Sequence, residues 1–164
     1  MAGTLEYLRW RGDLSFKERP FNSVDASLFA SIIYLPVDKS AKEHTLSEVA
    51  EKLHVLPSFQ VQMKDLAGDQ ILLLPKSPRL GDIKILNWTN RLEKDPYPLQ
   101  FTAATFRLTD NTIIFVYRGT DNSIIGWNED MNMNYMPKAY GQDVAANYLK
   151  EMAAAFPHDK IYLA

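Results

Sequence analysis

Residues 113 to 132, IIFVYRGTDNSIIGWNEDMN, set an apolar run against Arg118-Gly119-Thr120-Asp121 and then a polar stretch around Trp127. A small hydroxyl directly after a strand-like run is well placed for chemistry, because ligand and catalytic groups in open α/β sheets collect outside the carboxyl ends of strands. The competing reading makes Thr120 a residue that caps the turn through local hydrogen bonds. Arg118 leaves the same strand end, and its guanidinium wants a carboxylate, for which Asp121 and Asp130 are near in sequence. An ion pair is the structural reading of Arg118, and holding the Thr120 turn in shape is the functional one.

Other chemistry-bearing residues form no constellation. The chain has no cysteine, which excludes disulfides, thiolate metal sites and a Cys nucleophile. His44, His54 and His158 are scattered, with no i, i+4 pair to hold a metal. Asp121, Ser123 and Gly126 fall at positions 1, 3 and 6 of a calcium loop, but Ile125 and Asn132 break the pattern at positions 5 and 12. Nothing in the spacing of Ser123 and His158 argues for a Ser-His pair. No metal and no cofactor is expected.

These residues must be positioned by the elements around them. Asn22-Ser23 before Val24, Leu28, Phe29, Ile32 and Ile33 predicts a capped helix over about 23–34, stopped by Pro36. Thr45-Leu46-Ser47-Glu48 is a capping box opening a short helix that ends before Pro57. Pro78 to Gly81 reads as a turn, followed by a strand or bent helix carrying Ile83, Ile85 and Trp88. LQFTAATFRL and TIIFVY are β-rich runs joined by Thr109-Asp110-Asn111, which predicts an antiparallel hairpin. Val144, Ala145, Tyr148, Leu149 and Met152 recur at helical spacing over 142–155, and KIYLA follows as a strand. Strand 112–118, helix 142–155 and strand 160–164 form a β-α-β unit with parallel strands. If the strands are neighbours, about 4.8 Å apart, their carboxyl ends lie side by side.

Composition bounds the rest. At 164 residues and 46% hydrophobic content the chain can bury one core as a single domain. With 18 Lys+Arg against 20 Asp+Glu, no global field favours nucleic acid or an anionic membrane. No apolar stretch has signal-peptide or membrane-spanning length, so the default expectation is a cytoplasmic protein with no transmembrane segment.

The stretch YRGTDNSIIGWNED resembles the F/Y-R-G-S/T…W…D signature of class 3 lipases. The chain is closer still to a bacterial family of lipase-like α/β-hydrolases of unknown function, in which phrases like LEYLRWRGDLSF, FNSVDASLFASIIYL and QFTAATFRL…RGTD…GWNEDMNMNY recur in this order. The resemblance implies an α/β fold: the N-terminal portion of an α/β-hydrolase, with a mainly helical first half (1–98), then a β-hairpin and a β-α-β unit of a mostly parallel sheet (99–164). It implies a serine hydrolase acting on an ester or related acyl bond of a small-molecule substrate. Thr120 would supply an oxyanion-hole donor through its N–H and hydroxyl, with Arg118, Gly119, Asp121 and Asp130 supporting that turn. Ser123 to Tyr135, including Trp127, Met131 and Met133, would belong to a lid over the acyl group, although Trp127 and the methionines could equally be core. In such hydrolases the strand matching KIYLA runs into a Gly-x-Ser-x-Gly elbow, with Asp and His further on. The expectation is therefore an N-terminal part ending just before the nucleophile, inactive alone, and able to pair with the remainder of the domain or another chain. The alternative is a non-catalytic relative that binds a partner, since fold does not fix function.

Overall fold

The computed structural model describes residues 3–54, 73–94, 99–119 and 140–164. Helix α1 (Thr4–Arg11) opens with the Glu6 carboxylate accepting from the Gly3 N–H at 2.9 Å, and it carries Arg9 and Arg11 in its last turn. These charges suit the two ends of the helix dipole. Helix α2 (Ser23–Ile32) is capped reciprocally: the Asn22 side chain accepts from Val24 N at 2.8 Å, and Asp25 accepts from Asn22 N at 3.0 Å. Helix α3 (Leu46–His54) begins with the expected capping box, Thr45 N to Glu48 at 2.8 Å and Glu48 N to Thr45 Oγ1 at 3.2 Å. The Thr45 N–H, and after it the His44 side chain, hold the Glu48 carboxyl below its ordinary pKa.

Strands β1 (Lys84–Glu93), β2 (Leu99–Thr109), β3 (Thr112–Tyr117) and β4 (Lys160–Leu163) form one sheet in the order β1-β2-β3-β4, with helix α4 (Tyr140–Ala155) preceding β4. β1 pairs antiparallel with β2, and β2 antiparallel with β3, through the Asp110-Asn111 turn. Only β3 and β4 are parallel, with Thr112 opposite Lys160 and Phe115 opposite Leu163. The expectation of a mostly parallel α/β-hydrolase sheet is therefore wrong for the described residues: two of the three strand pairings are antiparallel. The physical reason is connection length. Few residues separate β1 from β2 or β2 from β3, and so short a link returns the chain antiparallel, whereas a parallel neighbour needs a crossover such as α4 supplies. The stretch read as strand or bent helix is β1, with a bulge between Ile85 and Asn87, and it lies inside the half expected to be mainly helical.

The sheet is covered on both faces. Leu28, Phe29 and Ile32 of α2 pack with Leu46, Trp88, Phe106, Ile114 and Val116 on one side. Val144 and Tyr148 of α4 pack with Leu99, Phe101 and Ala103 on the other. Successive strand residues point to opposite faces, so a strand covered twice is apolar throughout, as TIIFVY is. Four consecutive β3 residues, Ile113 to Val116, are buried.

One polar group anchors the helical side. Arg79 and Asp25 are both buried and joined by two bonds, Nε to Oδ1 at 2.8 Å and Nη2 to Oδ2 at 2.6 Å. Arg79 also donates to the carbonyls of Leu14 (2.9 Å) and Arg19 (3.1 Å), and its guanidinium lies 4.1 Å from the centre of the Phe16 ring. A planar fork with five donors suits this multiple role. Burial is the largest single influence and works against the charge on Arg79, but the bonds and charge of Asp25 together with Tyr7 outweigh it and raise the pKa.

Candidate functional site at the carboxyl ends of β3 and β4

The β3 end is held by three elements. Tyr117 N donates to Ala164 O at 2.9 Å, and Ala164 N donates to Phe115 O at 2.9 Å, so the end of β4 lies directly beside the end of β3. On the opposite side, Arg118 N donates to Thr102 O of β2 at 3.0 Å. The third element is α2, whose trailing residue Tyr34 donates its hydroxyl to Gly119 O at 3.4 Å. The guanidinium of Arg118 lies 5.8 Å from the Tyr34 ring centre, within the range of a cation–π contact.

Of the expected site residues, the structure describes Arg118 and Gly119. Thr120, Asp121, Trp127, Asp130 and Met131, together with Ser123 and Met133, lie outside the described residues, as do the carboxylates expected to pair with Arg118. Tyr34 was not expected at the site. It follows a helix predicted only as core, and no local pattern relates it to a residue 85 positions away. Asp25 did carry a signal, a charge on the same stripe as Leu28, Phe29 and Ile32.

The floor on the α4 side is aromatic. Tyr117 and Tyr148 meet edge to face at 6.0 Å, and Tyr148 OH lies 2.8 Å from Thr105 Oγ1. Burial pushes the Tyr148 phenol up to about 12, against the hydrogen bond from Thr105, and burial also raises Tyr117. Both are neutral structural groups at ordinary pH.

The histidines stand apart from the strand ends. His44 lies 3.2 Å from Glu48 and 3.4 Å from Lys52 beside α3, His54 ends α3, and His158 is exposed in the turn before β4. Among the described residues no group of three or more His, Asp or Glu could hold a metal ion, and no helix is long and apolar enough to cross a membrane. A cleft of about 510 Å³ runs between β1 and α4, lined by Asn87, Thr89, Arg91, Tyr140, Asp143 and Asn147 among others, and neither Arg118 nor Gly119 lines it.

Chemically, the β3 end offers backbone donors and acceptors and one guanidinium. It can orient or polarise a group presented to it, but Arg118 and Gly119 include no nucleophile or base. No curated protein and no solved structure matches the chain. A model of the Mbeg1-like family, which is lipase-like, matches residues 74–164, more than half of the sequence and the whole of the sheet. The chain belongs to the Mbeg1-like family.

Proposed function

We propose that this chain carries the oxyanion-binding side of a serine hydrolase of the lipase or esterase type, acting on an ester or related acyl bond. Thr120 donates to the developing oxyanion through its N–H and hydroxyl, while Arg118, Gly119, Asp121 and Asp130 keep that turn in shape. Trp127 and Met131 cover the acyl group. On this reading residues 1–164 supply the donor side of the site, and the nucleophilic Ser, the acid and the His are assigned to none of them. The observation that carries the reading is the β3–β4 register: Tyr117 N bonds to Ala164 O at 2.9 Å. The ends of β3 and β4 are therefore side by side, and a donor carried past the one next to a nucleophile carried past the other can face the oxygen of a tetrahedral intermediate.

The test is the reading frame beyond Ala164 and the protein it encodes. A Gly-x-Ser-x-Gly sequence directly after KIYLA, with turnover of p-nitrophenyl esters abolished by replacing that Ser, supports the proposal. A frame lacking that serine, or turnover that survives its replacement, removes it.

A second reading, an interaction domain without catalysis, has one observation in its favour. Ile161 and Leu163 of β4 are 37% and 59% exposed, and among the described residues the outer edge of β4 pairs with no further strand. Such an edge recruits either the remainder of its own domain or another chain.

A further inference from the structure

We propose that the cavity between α1, the link that leads from it to α2, and Arg79 binds a small phosphate monoester through the guanidiniums of Arg11 and Arg19. The proposal is independent of the hydrolase reading, and neither Arg118 nor Gly119 lines this cavity. It holds about 290 Å³, close to the lower bound of small-molecule sites. Arg11, Arg19 and Arg79 all line it, and no Asp or Glu does so among the described residues. The charge of Arg79 is matched by Asp25, at 2.8 and 2.6 Å. Arg11 and Arg19 are exposed, and neither forms an ion pair with another described residue. Two positive charges therefore stand at the cavity in a chain whose net charge is −2. Arg11 also suits the carboxyl end of α1, but that account does not reach Arg19, which lies in the link beyond the helix.

The walls are preorganised. Arg79 Nη1 donates to the carbonyls of Leu14 (2.9 Å) and Arg19 (3.1 Å), and Nη2 to that of Pro20 (3.4 Å), so one buried guanidinium fixes the link on which Arg19 stands. Arg19 N adds a bond to Ser15 O at 2.9 Å. Across the cavity, Asn22 Nδ2 donates to Tyr7 OH at 2.8 Å, and Tyr7 OH donates to Asp25 at 3.2 Å. Leu14, Pro20 and the Tyr7 ring supply apolar surface beside the two charges, the usual make-up of a small-ligand site. The charges select the ligand. A guanidinium fork takes two oxygens at once, so a carboxylate is used up by one fork, whereas the three terminal oxygens of a phosphate monoester can meet both. Its charge of about −1.5 to −2 at pH 7 balances Arg11 and Arg19 together.

The test is calorimetric titration of the whole protein with phenyl phosphate and, separately, with benzoate. Phenyl phosphate should bind one to one, and benzoate at least about tenfold more weakly, since it engages one fork instead of two. Arg11→Gln and Arg19→Gln should each weaken phenyl phosphate binding about ten- to a hundredfold, the range of a charged hydrogen bond. Both side chains are exposed, so the variants should melt at the wild-type temperature without ligand. Arg9→Gln removes an exposed charge from α1 that does not line the cavity, and it should bind as the wild type does. No saturable binding at millimolar phenyl phosphate overturns the proposal, as do Arg11→Gln and Arg19→Gln variants that bind undiminished. An equal loss in Arg9→Gln overturns it too, because the attraction would then belong to the surface charge at large. Benzoate binding as tightly as phenyl phosphate overturns the assignment to a phosphate.

Discussion

The carboxylate of Asp25 and the guanidinium of Arg79 face each other as a two-bonded pair, 2.8 and 2.6 Å, with their side chains sealed from solvent. Removing one partner leaves the other charged and buried, so Arg79→Ala and Asp25→Ala should each cost about 3–5 kcal/mol. Arg79→Lys should recover little, because an ammonium cannot span both carboxylate oxygens and the carbonyls of Leu14 and Arg19. The Arg79→Met, Asp25→Leu double variant should lose much less than the two alanine variants combined. Urea denaturation with a constant m-value measures all four, and a cost below about 1 kcal/mol for Asp25→Ala would contradict this account.

Alkaline pH should reach the core through Tyr148. Its phenol is raised to about 12 in the fold, mainly by burial, while the unfolded chain titrates near 10. The folded state therefore holds the proton more tightly. The stabilisation is complete below about pH 10 and is lost as pH rises through about 12, up to roughly 3 kcal/mol for a two-unit shift. Tyr148→Phe should melt at a less pH-dependent temperature across that window, although it loses the bond to Thr105 at every pH. A tyrosinate absorbance titration in which every tyrosine ionises near 10 with the fold intact would refute the assignment.

For the proposed hydrolase, Thr120→Ala in the protein from the full reading frame should reduce kcat roughly ten- to a hundredfold with KM little changed, since the hydroxyl contact strengthens as the oxyanion forms. Thr120→Ser should stay near wild type. Thr120→Val keeps the β-branched shape and deletes the hydroxyl, so it should match Ala rather than Ser. If the Val and Ala variants fold and both retain full kcat, the hydroxyl has no part and only the N–H remains a candidate donor.

Residues 1–164 alone should turn over no activated ester above background and should self-associate through β4. Replacing exposed Ile161 and Leu163 by Lys should lower the mass seen by light scattering, because charge on an open strand edge discourages pairing. An unchanged mass for the double variant would mean that association runs through another surface. Ester turnover by this segment, lost when one of its own serines is replaced, would contradict the division of the site at residue 164.

Features written within a few residues were readable in the sequence. The Thr45–Glu48 capping box, the β2–β3 hairpin and the helical spacing of Val144, Tyr148 and Met152 each follow from local pattern, and all three are present in the fold. The parallel partnership of β3 and β4 was readable too, because a helix joins them. Strand direction across β1 was not. Its apolar residues fit a strand or a bent helix, and its pairing with β2 is decided by the short link between them rather than by its own residues. Least readable were the contacts made by single side chains over long separations. Arg79 reaches Asp25 across 54 residues and Tyr34 reaches Gly119 across 85, and neither pair has a periodic signature. Of the candidate site, Arg118 and Gly119 stand at the strand end as read, yet Arg118 meets an aromatic ring that charge-pairing arguments do not suggest.

The Asp25–Arg79 separation also sets a schedule for synthesis. A ribosome adding about 5–20 residues per second takes roughly 3 to 11 seconds to make the 54 residues between them. Through that interval α2 can form its cap, but it cannot bury Asp25 without leaving a carboxylate unmatched in an apolar layer. The nascent N-terminal helices must therefore wait, with Leu28, Phe29 and Ile32 uncovered, until the PRLGD turn leaves the exit tunnel. Phe21 waits longer still for one ring partner, Tyr162 of β4 at 4.6 Å. The first helices thus complete their packing only once residues made well after them have arrived, and until then their apolar faces are available to a chaperone during translation.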